Sequence, residues 1–167
     1  MSKKLFLVRH AKAEEIKSAD SGKEDLKRDL IQIGITDAET MGKRLFSMQI
    51  KPEIIISSHA KRALQTAKII AQELQFDSHK IDQNESLYGA TAHSLLEVIG
   101  KTDDSIKSIM LVGHNPSFNE LLESLCKTNI ENIPKSGIVG VKLPVESWKG
   151  ITVKCGSLLF FDSPKNK

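Results

Sequence analysis

Two cysteines, Cys126 and Cys155, are all that this chain of 167 residues contains. They are too few for a disulfide framework and show no metal-ligand or redox spacing, so a reduced, cytoplasmic protein is expected. No sign of charge dominates. Lysine and arginine number 24 against 21 aspartates and glutamates, a formal net charge of +3 with both signs mixed along the chain. That excludes a nucleic-acid footprint but leaves room for a local arginine cluster around a small anion. Apolar runs are short. None approaches a membrane span, and the run in the basic start "MSKKLFLVRH" is too brief for a secretory segment. Phosphate loops are missing as well: no Gly-x-Gly-x-x-Gly follows an apolar run, and "MGKR" at residues 41–44 lacks the glycine spacing and the Ser or Thr of a P-loop. There is no Gly-x-Ser-x-Gly elbow, no histidine pair at metal spacing and no aspartate cluster of the kind that holds magnesium. Neither metal nor cofactor is therefore expected.

What is present reads as an α/β protein. The chain is long enough for one domain, residues 1–167, with a real core. Three β-branched or aliphatic runs, "KLFLV", "EIIIS" and "SIMLV", end near Val8, Ser57 and Val112 and predict buried strands. Helical spacing follows each. Ala38, Met41 and Leu45 mark one helix, with Thr36 as its expected cap; Ala63, Ala67, Ile70 and Leu74 mark another. Phe118, Leu121, Leu122 and Leu125 mark a third, with Asn115 as N-cap and Pro116 at the first helical position. Apolar runs alternating with helices predict a three-layer α/β/α sandwich around a mostly parallel sheet. The tail differs: "GIVGVKL" and "GSLLFFD" predict two further strands in a meander. The charged stretch "GKEDLKRDL", residues 22–30, is expected as a solvent-facing loop over the strand ends.

The residues that follow each predicted strand form a pattern. The first strand delivers Arg9 and His10, the second leads to Arg62 at a helix start, and the third delivers His114. In a parallel sheet these side chains converge at one edge, where open α/β folds bind their ligands. Two guanidiniums, two imidazoles and helix N-termini suit a compact multivalent anion, phosphate above all.

Four segments in this order, "LVRHAKA", "SSHAKRALQTA", "NESLYGA" and "LVGHNP", resemble the signature of the histidine phosphatase superfamily, whose fold is phosphoglycerate-mutase-like. The Arg-His-Ala form and the short chain are similar to its small phosphohistidine-phosphatase, or SixA-like, branch. The resemblance implies a metal-independent phosphatase in which His10 is transiently phosphorylated, its attacking nitrogen kept unprotonated by a hydrogen bond at the other nitrogen and by positive neighbours. It implies that Arg9, Arg62 and His114 bind the phosphoryl oxygens, each donor contributing about 3 kcal/mol to the transition state. Glu85 matches the family's proton donor to the leaving group. Arg28 aligns with an Arg-Pro-Leu-Thr segment near the pocket, although Asp29 and Ile31 replace the Pro and Thr.

Other departures are Ala11 in place of a common glycine and His59 in place of a common proline, the latter read as a loop residue without a catalytic role. Lys12 is expected at the surface, where it adds positive potential at the mouth. His79 and His93 are expected on the surface, and Trp148 and Tyr88 as packing residues. The span from His10 to Arg62 leaves little room for a capping insertion, which favours a phosphorylated side chain reaching in from a folded partner, such as a phosphohistidine carrier or phosphorelay protein. A monomer without nucleic-acid or membrane partners is expected. The alternatives are a phosphatase of a small phosphorylated metabolite, a non-catalytic phosphate-binding module on the same fold, and a nucleotide-binding α/β protein.

Overall fold

The structure is a computed structural model that describes residues 2–16 and 22–166. One six-stranded sheet runs in the order β3-β2-β4-β1-β5-β6, built from β1 (Lys3–Arg9), β2 (Ile54–Ser57), β3 (Asp82–Gln83), β4 (Ser108–Gly113), β5 (Ile138–Leu143) and β6 (Ser157–Asp162). β1, β2, β3 and β4 are mutually parallel, whereas β5 and β6 form the expected antiparallel meander. Between them lie α1 (Gly22–Leu26), α2 (Gln32–Ser47), α3 (Lys61–Glu73), α4 (Ala92–Gly100) and α5 (Ser117–Leu125).

Alternation along β1 separates the two halves of the core. Leu5 and Leu7 point to the face covered by α4 and α5, where Leu95, Phe118, Leu122 and Trp148 are buried. Phe6 and Val8 point to the opposite face, against Met41 and Leu45 of α2 and Ala67 and Ile70 of α3. Both faces of the central strands are buried, which is why they read as continuous apolar runs rather than as alternating ones.

This layering positions the site. β1 and β4 are neighbours, yet the chain leaves β1 toward α2 on one face and leaves β4 toward α5 on the other. The two connections diverge and open a crevice beyond the strand ends, the topological switch point of an open sheet. β5 is antiparallel to β1 and so begins at the same edge, bringing residues 133–137 to the crevice.

Several local expectations are corrected. Residues 22–30 hold a helical turn, α1, and Leu30 then forms a bridge with Ala13. α2 begins at Gln32, so Thr36 lies inside it and caps nothing. α5 begins at Ser117, after a cis Asn115–Pro116 peptide, and the Asn115 amide donates to Ile133 O and Asn132 instead of capping the helix. α4 was not foreseen. Its start is a Thr91/Ser94 capping box, in which serine replaces the usual glutamate. Two-residue β3 is exposed and carries no apolar signal.

The segment after His10 is held against α2 without room to spare. A Cβ on Gly34 would meet the Lys12 carbonyl oxygen at 2.1 Å. Gly34→Ala must therefore push the 11–13 backbone away, and we expect a loss of about 1–3 kcal/mol in urea unfolding, against a near-neutral effect of alanine at exposed Gly22.

Candidate active site

Arg9 and His10 stand at the carboxyl end of β1, paired in register with the end of β4 through Arg9 and Gly113. The His10 N–H donates to Gly113 O at 3.0 Å, and His114 follows directly. β2 ends beside β4 in the same sheet, where Ser58 N–H donates to Val112 O before the chain turns into α3 and presents Arg62. His10, His114 and Arg62 are 6%, 8% and 5% exposed. The imidazole rings of His10 and His114 lie 5.2 Å apart, and Arg62 Nη2 is 3.5 Å from His114 Nδ1. Arg9 is half-buried, with Nη1 donating to Ile133 O at 2.9 Å.

One proton on His10 can be assigned. Nδ1 is 2.8 Å from the Ala11 carbonyl, which can only accept, so Nδ1 carries the hydrogen and Nε2 keeps its lone pair. Burial is the largest influence on this ring and pushes its pKa down. The Ala11 hydrogen bond opposes that, and the nearby His114, Arg62 and Arg9 add to it, bringing the value to about 3. Desolvation thus outweighs the positive neighbours that the sequence suggested as the cause. His114 is lowered to about 4, again by burial first and then by Arg62. Both rings are neutral at pH 7.

Arg62 is gripped from the α1 side. Its Nη1 donates to the Asp25 carbonyl at 2.7 Å and its Nη2 to Asp25 Oδ2 at 3.0 Å. Arg28 Nη1 donates to Asp25 Oδ1 at 2.9 Å, and the Tyr88 hydroxyl donates to Oδ2. Partial burial alone would raise the Asp25 pKa, but the hydrogen bonds from Tyr88 and Arg28 and the charge of Arg62 take it down to about 2. The Tyr88 ring stands edge-on to His114 at 5.4 Å, so the tyrosine expected only to pack also lines the site. Asp25 has no counterpart among the sequence-derived candidates. Its only advance signal was membership of a charged run, shared with Glu24, Lys23 and Lys27.

His114 Nε2 lies 2.8 Å from the Ser58 hydroxyl, which accepts from the Ala60 N–H at 3.2 Å. The Arg62 guanidinium can only donate, so His114 Nδ1 accepts from Nη2 and its Nε2–H donates to the Ser58 hydroxyl. Unpaired atoms mark the same edge. Among the described residues, the buried side-chain nitrogens and oxygens with no hydrogen-bond partner belong to Arg9 (Nε), His59, Arg62 (Nε), Asn115 and Ser136. Arg9 and Arg62 are two of the four residues themselves, Asn115 directly follows His114, His59 lies three residues before Arg62, and the Ser136 N–H bonds the Arg9 and His10 carbonyls. Buried polar groups are ordinarily paired, and the two arginine Nε–H groups, which can only donate, fit a ligand that supplies acceptors.

The fold therefore brings Arg9, His10, Arg62 and His114 together. Arg28 reaches the group through Asp25, and its Nε donates to Glu14 O. Glu85 is exposed on the 3-10 turn Glu85–Leu87, the turn that also presents Tyr88. At the rim, burial and then the charges of Arg9, Arg28 and Lys12 lower the Lys135 pKa, which marks a basic mouth. Among the described residues, no group of three or more His, Cys, Asp or Glu could hold a metal ion, and no helix is long and apolar enough to cross a membrane. Trp148 packs as expected, buried beneath the Lys3 ammonium at 4.9 Å.

Comparison with known proteins gives a consistent picture. The histidine phosphatase superfamily (branch 1) profile matches residues 5–88. An uncharacterized protein of Mycobacterium tuberculosis is 27% identical over 168 aligned positions, covering 95% of this chain and all of that protein. The solved structure of SixA from Agrobacterium tumefaciens superposes with a TM-score of 0.79 at 25% identity, over 97% of this chain and 98% of its own. A structure of the protein histidine phosphatase SixA complexed with tungstate gives 0.79 at 21% identity, over 96% and 97% of the two chains.

Two outcomes follow from the electrostatics. His10 and His114 are neutral when folded but bind a proton below pH 6.5 when unfolded, so their contribution is complete above pH 6.5 and is lost as the pH falls toward 4 and 3. The melting temperature should therefore drop between pH 6.5 and 4, and drop less in His10→Gln. Asp25→Asn removes the countercharge of Arg62 and should cost about 1–3 kcal/mol at pH 7, read from the urea midpoint.

Proposed function

The chain belongs to the histidine phosphatase superfamily, and from that premise we propose that it hydrolyses a phosphoryl group, without a metal, through a covalent intermediate on His10. The observation that carries this reading is the state of His10: buried, neutral, its proton on Nδ1 and its Nε2 lone pair free, beside two arginines and a second histidine. A nucleophile of this kind needs no general base, because it has no proton to lose at the attacking nitrogen.

In the first step the Nε2 lone pair attacks phosphorus and the bond to the leaving group breaks. Arg9, Arg62 and His114 hold the non-bridging oxygens, whose charge the guanidiniums offset. The leaving group takes a proton, a role the family resemblance assigns to Glu85. In the second step water attacks the phosphorus on His10, orthophosphate departs and the Nε2 lone pair is restored.

For the substrate we propose phosphohistidine on a protein, a phosphocarrier or phosphorelay partner. Three features support it. The likeness to SixA runs over nearly the full length. The described elements over the strand ends, five-residue α1 and the 3-10 turn Glu85–Leu87, are short, which suits a side chain presented by a folded partner. The basic rim of Lys12, Arg28 and Lys135 suits an anionic group on approach.

Incubation with a ³²P-phosphohistidine protein, quenched in base, should trap labelled enzyme that is stable to alkali and labile to acid. His10→Ala should abolish both label and turnover, and Arg62→Ala should lower kcat/KM by about 100-fold or more. Turnover should be faster on phosphohistidine than on phosphoserine, phosphotyrosine or sugar phosphates, and unchanged by EDTA. Unaltered turnover in His10→Ala would overturn the mechanism. Preference for a sugar phosphate would replace the substrate, and oxyanion binding without turnover would leave a phosphate-binding module.

A further inference from the structure

Ser136 sits where the antiparallel half of the sheet meets the nucleophile. The segment Ile133–Gly137 enters β5 at the edge where β1 ends, and it is stitched to Arg9 and His10 from three sides. Ile133 O accepts from Arg9 Nη1 at 2.9 Å, Gly137 O accepts from the Arg9 N–H at 3.0 Å, and the Ser136 N–H is shared between Arg9 O and His10 O at 3.2 Å each. The residue is 1% exposed, and its hydroxyl has no partner among the described residues.

Two features of this serine are unfavourable in structural terms alone. A buried hydroxyl without a hydrogen bond is destabilising. Its φ of 62° lies in the left-handed region, where glycine or asparagine sits more easily. Alanine would avoid the first and glycine both, yet the chain keeps a hydroxyl there. Unfavourable local geometry of this sort, held by surrounding contacts, is characteristic of functional positions. The unpaired Nε–H groups of Arg9 and Arg62 belong to the same edge.

Resting on the phosphatase reading, we propose that Ser136 is a further phosphoryl-contact residue, its hydroxyl donating to a non-bridging oxygen of the group that passes to and from His10. A hydroxyl complements the guanidiniums in one respect. Its hydrogen rotates about a single bond, so one donor can follow an oxygen as the phosphorus moves toward Nε2 and away again, whereas the arginine N–H groups are fixed in a plane. Ser136 adds no charge and takes no part in proton transfer.

The test compares Ser136→Gly with Ser136→Ala. Both delete the hydroxyl, but glycine accepts the positive φ and alanine does not. We expect both variants to lose roughly tenfold in kcat/KM on a phosphohistidine protein, and orthovanadate binding, measured by calorimetry, to weaken by a similar factor. Melting curves should show Ser136→Gly at least as stable as the parent. A Ser136→Gly enzyme with parental kcat/KM and orthovanadate affinity would overturn the proposal, and so would a defect confined to Ser136→Ala, which would trace to backbone strain. If the parent protein binds orthovanadate but turns over no phosphohistidine, the substrate reading falls while the binding comparison still decides on Ser136. If it does neither, both fall.

Discussion

The hydrogen bond from His10 Nδ1–H to the Ala11 carbonyl is the contact on which the chemistry of this site turns. It decides which nitrogen has a lone pair, and it does so locally, with a backbone oxygen one residue away. Burial makes the choice durable. In water an imidazole spends part of its time protonated near neutral pH, but in this crevice the charged ring is disfavoured until the pH nears 3. The same burial that raises the energy of a charged histidine strengthens the attraction of Arg9 and Arg62 for an anion. One property of the fold, a dry edge at the end of β1, thus serves both the proposed nucleophile and the proposed anion clamp.

Concentrating positive groups in such a place has a cost, and the structure divides it unevenly. Arg62, the more deeply buried guanidinium, is neutralised by Asp25, which also gathers Arg28 and Tyr88. Its Nη groups are thereby oriented before any ligand arrives, as preorganised electrostatics requires. Among the described residues Arg9 has no carboxylate partner and leans on a carbonyl instead. α3 adds a second layer of support: the Thr66 hydroxyl accepts from the Ala11 N–H, and Gln65 holds Leu30 and Asp29. A single helix therefore presents Arg62 and also braces both the loop after His10 and the end of the α1 segment.

Much of the frame could be read in advance, because each central strand is buried on both faces and announces itself as an apolar run followed by helical spacing. The Arg-His, Arg and His positions were legible for the same reason: a parallel sheet sends every strand end to one edge. Asp25 was not, since a carboxylate in "GKEDLKRDL" looks the same whether it faces solvent or a buried guanidinium. Tyr88 read as packing because its ring is apolar and only its hydroxyl reaches Asp25. Ser136 was hidden by topology. It precedes a strand rather than following one, and only the reversed direction of β5 brings it to His10.

By itself the amino-acid order determined the layers, the strand ends and the identity of the four side chains gathered there, because periodicity and strand direction are properties of short segments. Tertiary structure alone decided which nitrogen of His10 is free, which acid balances Arg62, and which donors are left without partners. Those outcomes depend on contacts between residues far apart in the chain and on the exclusion of water from the space between them, and neither leaves a trace in local sequence.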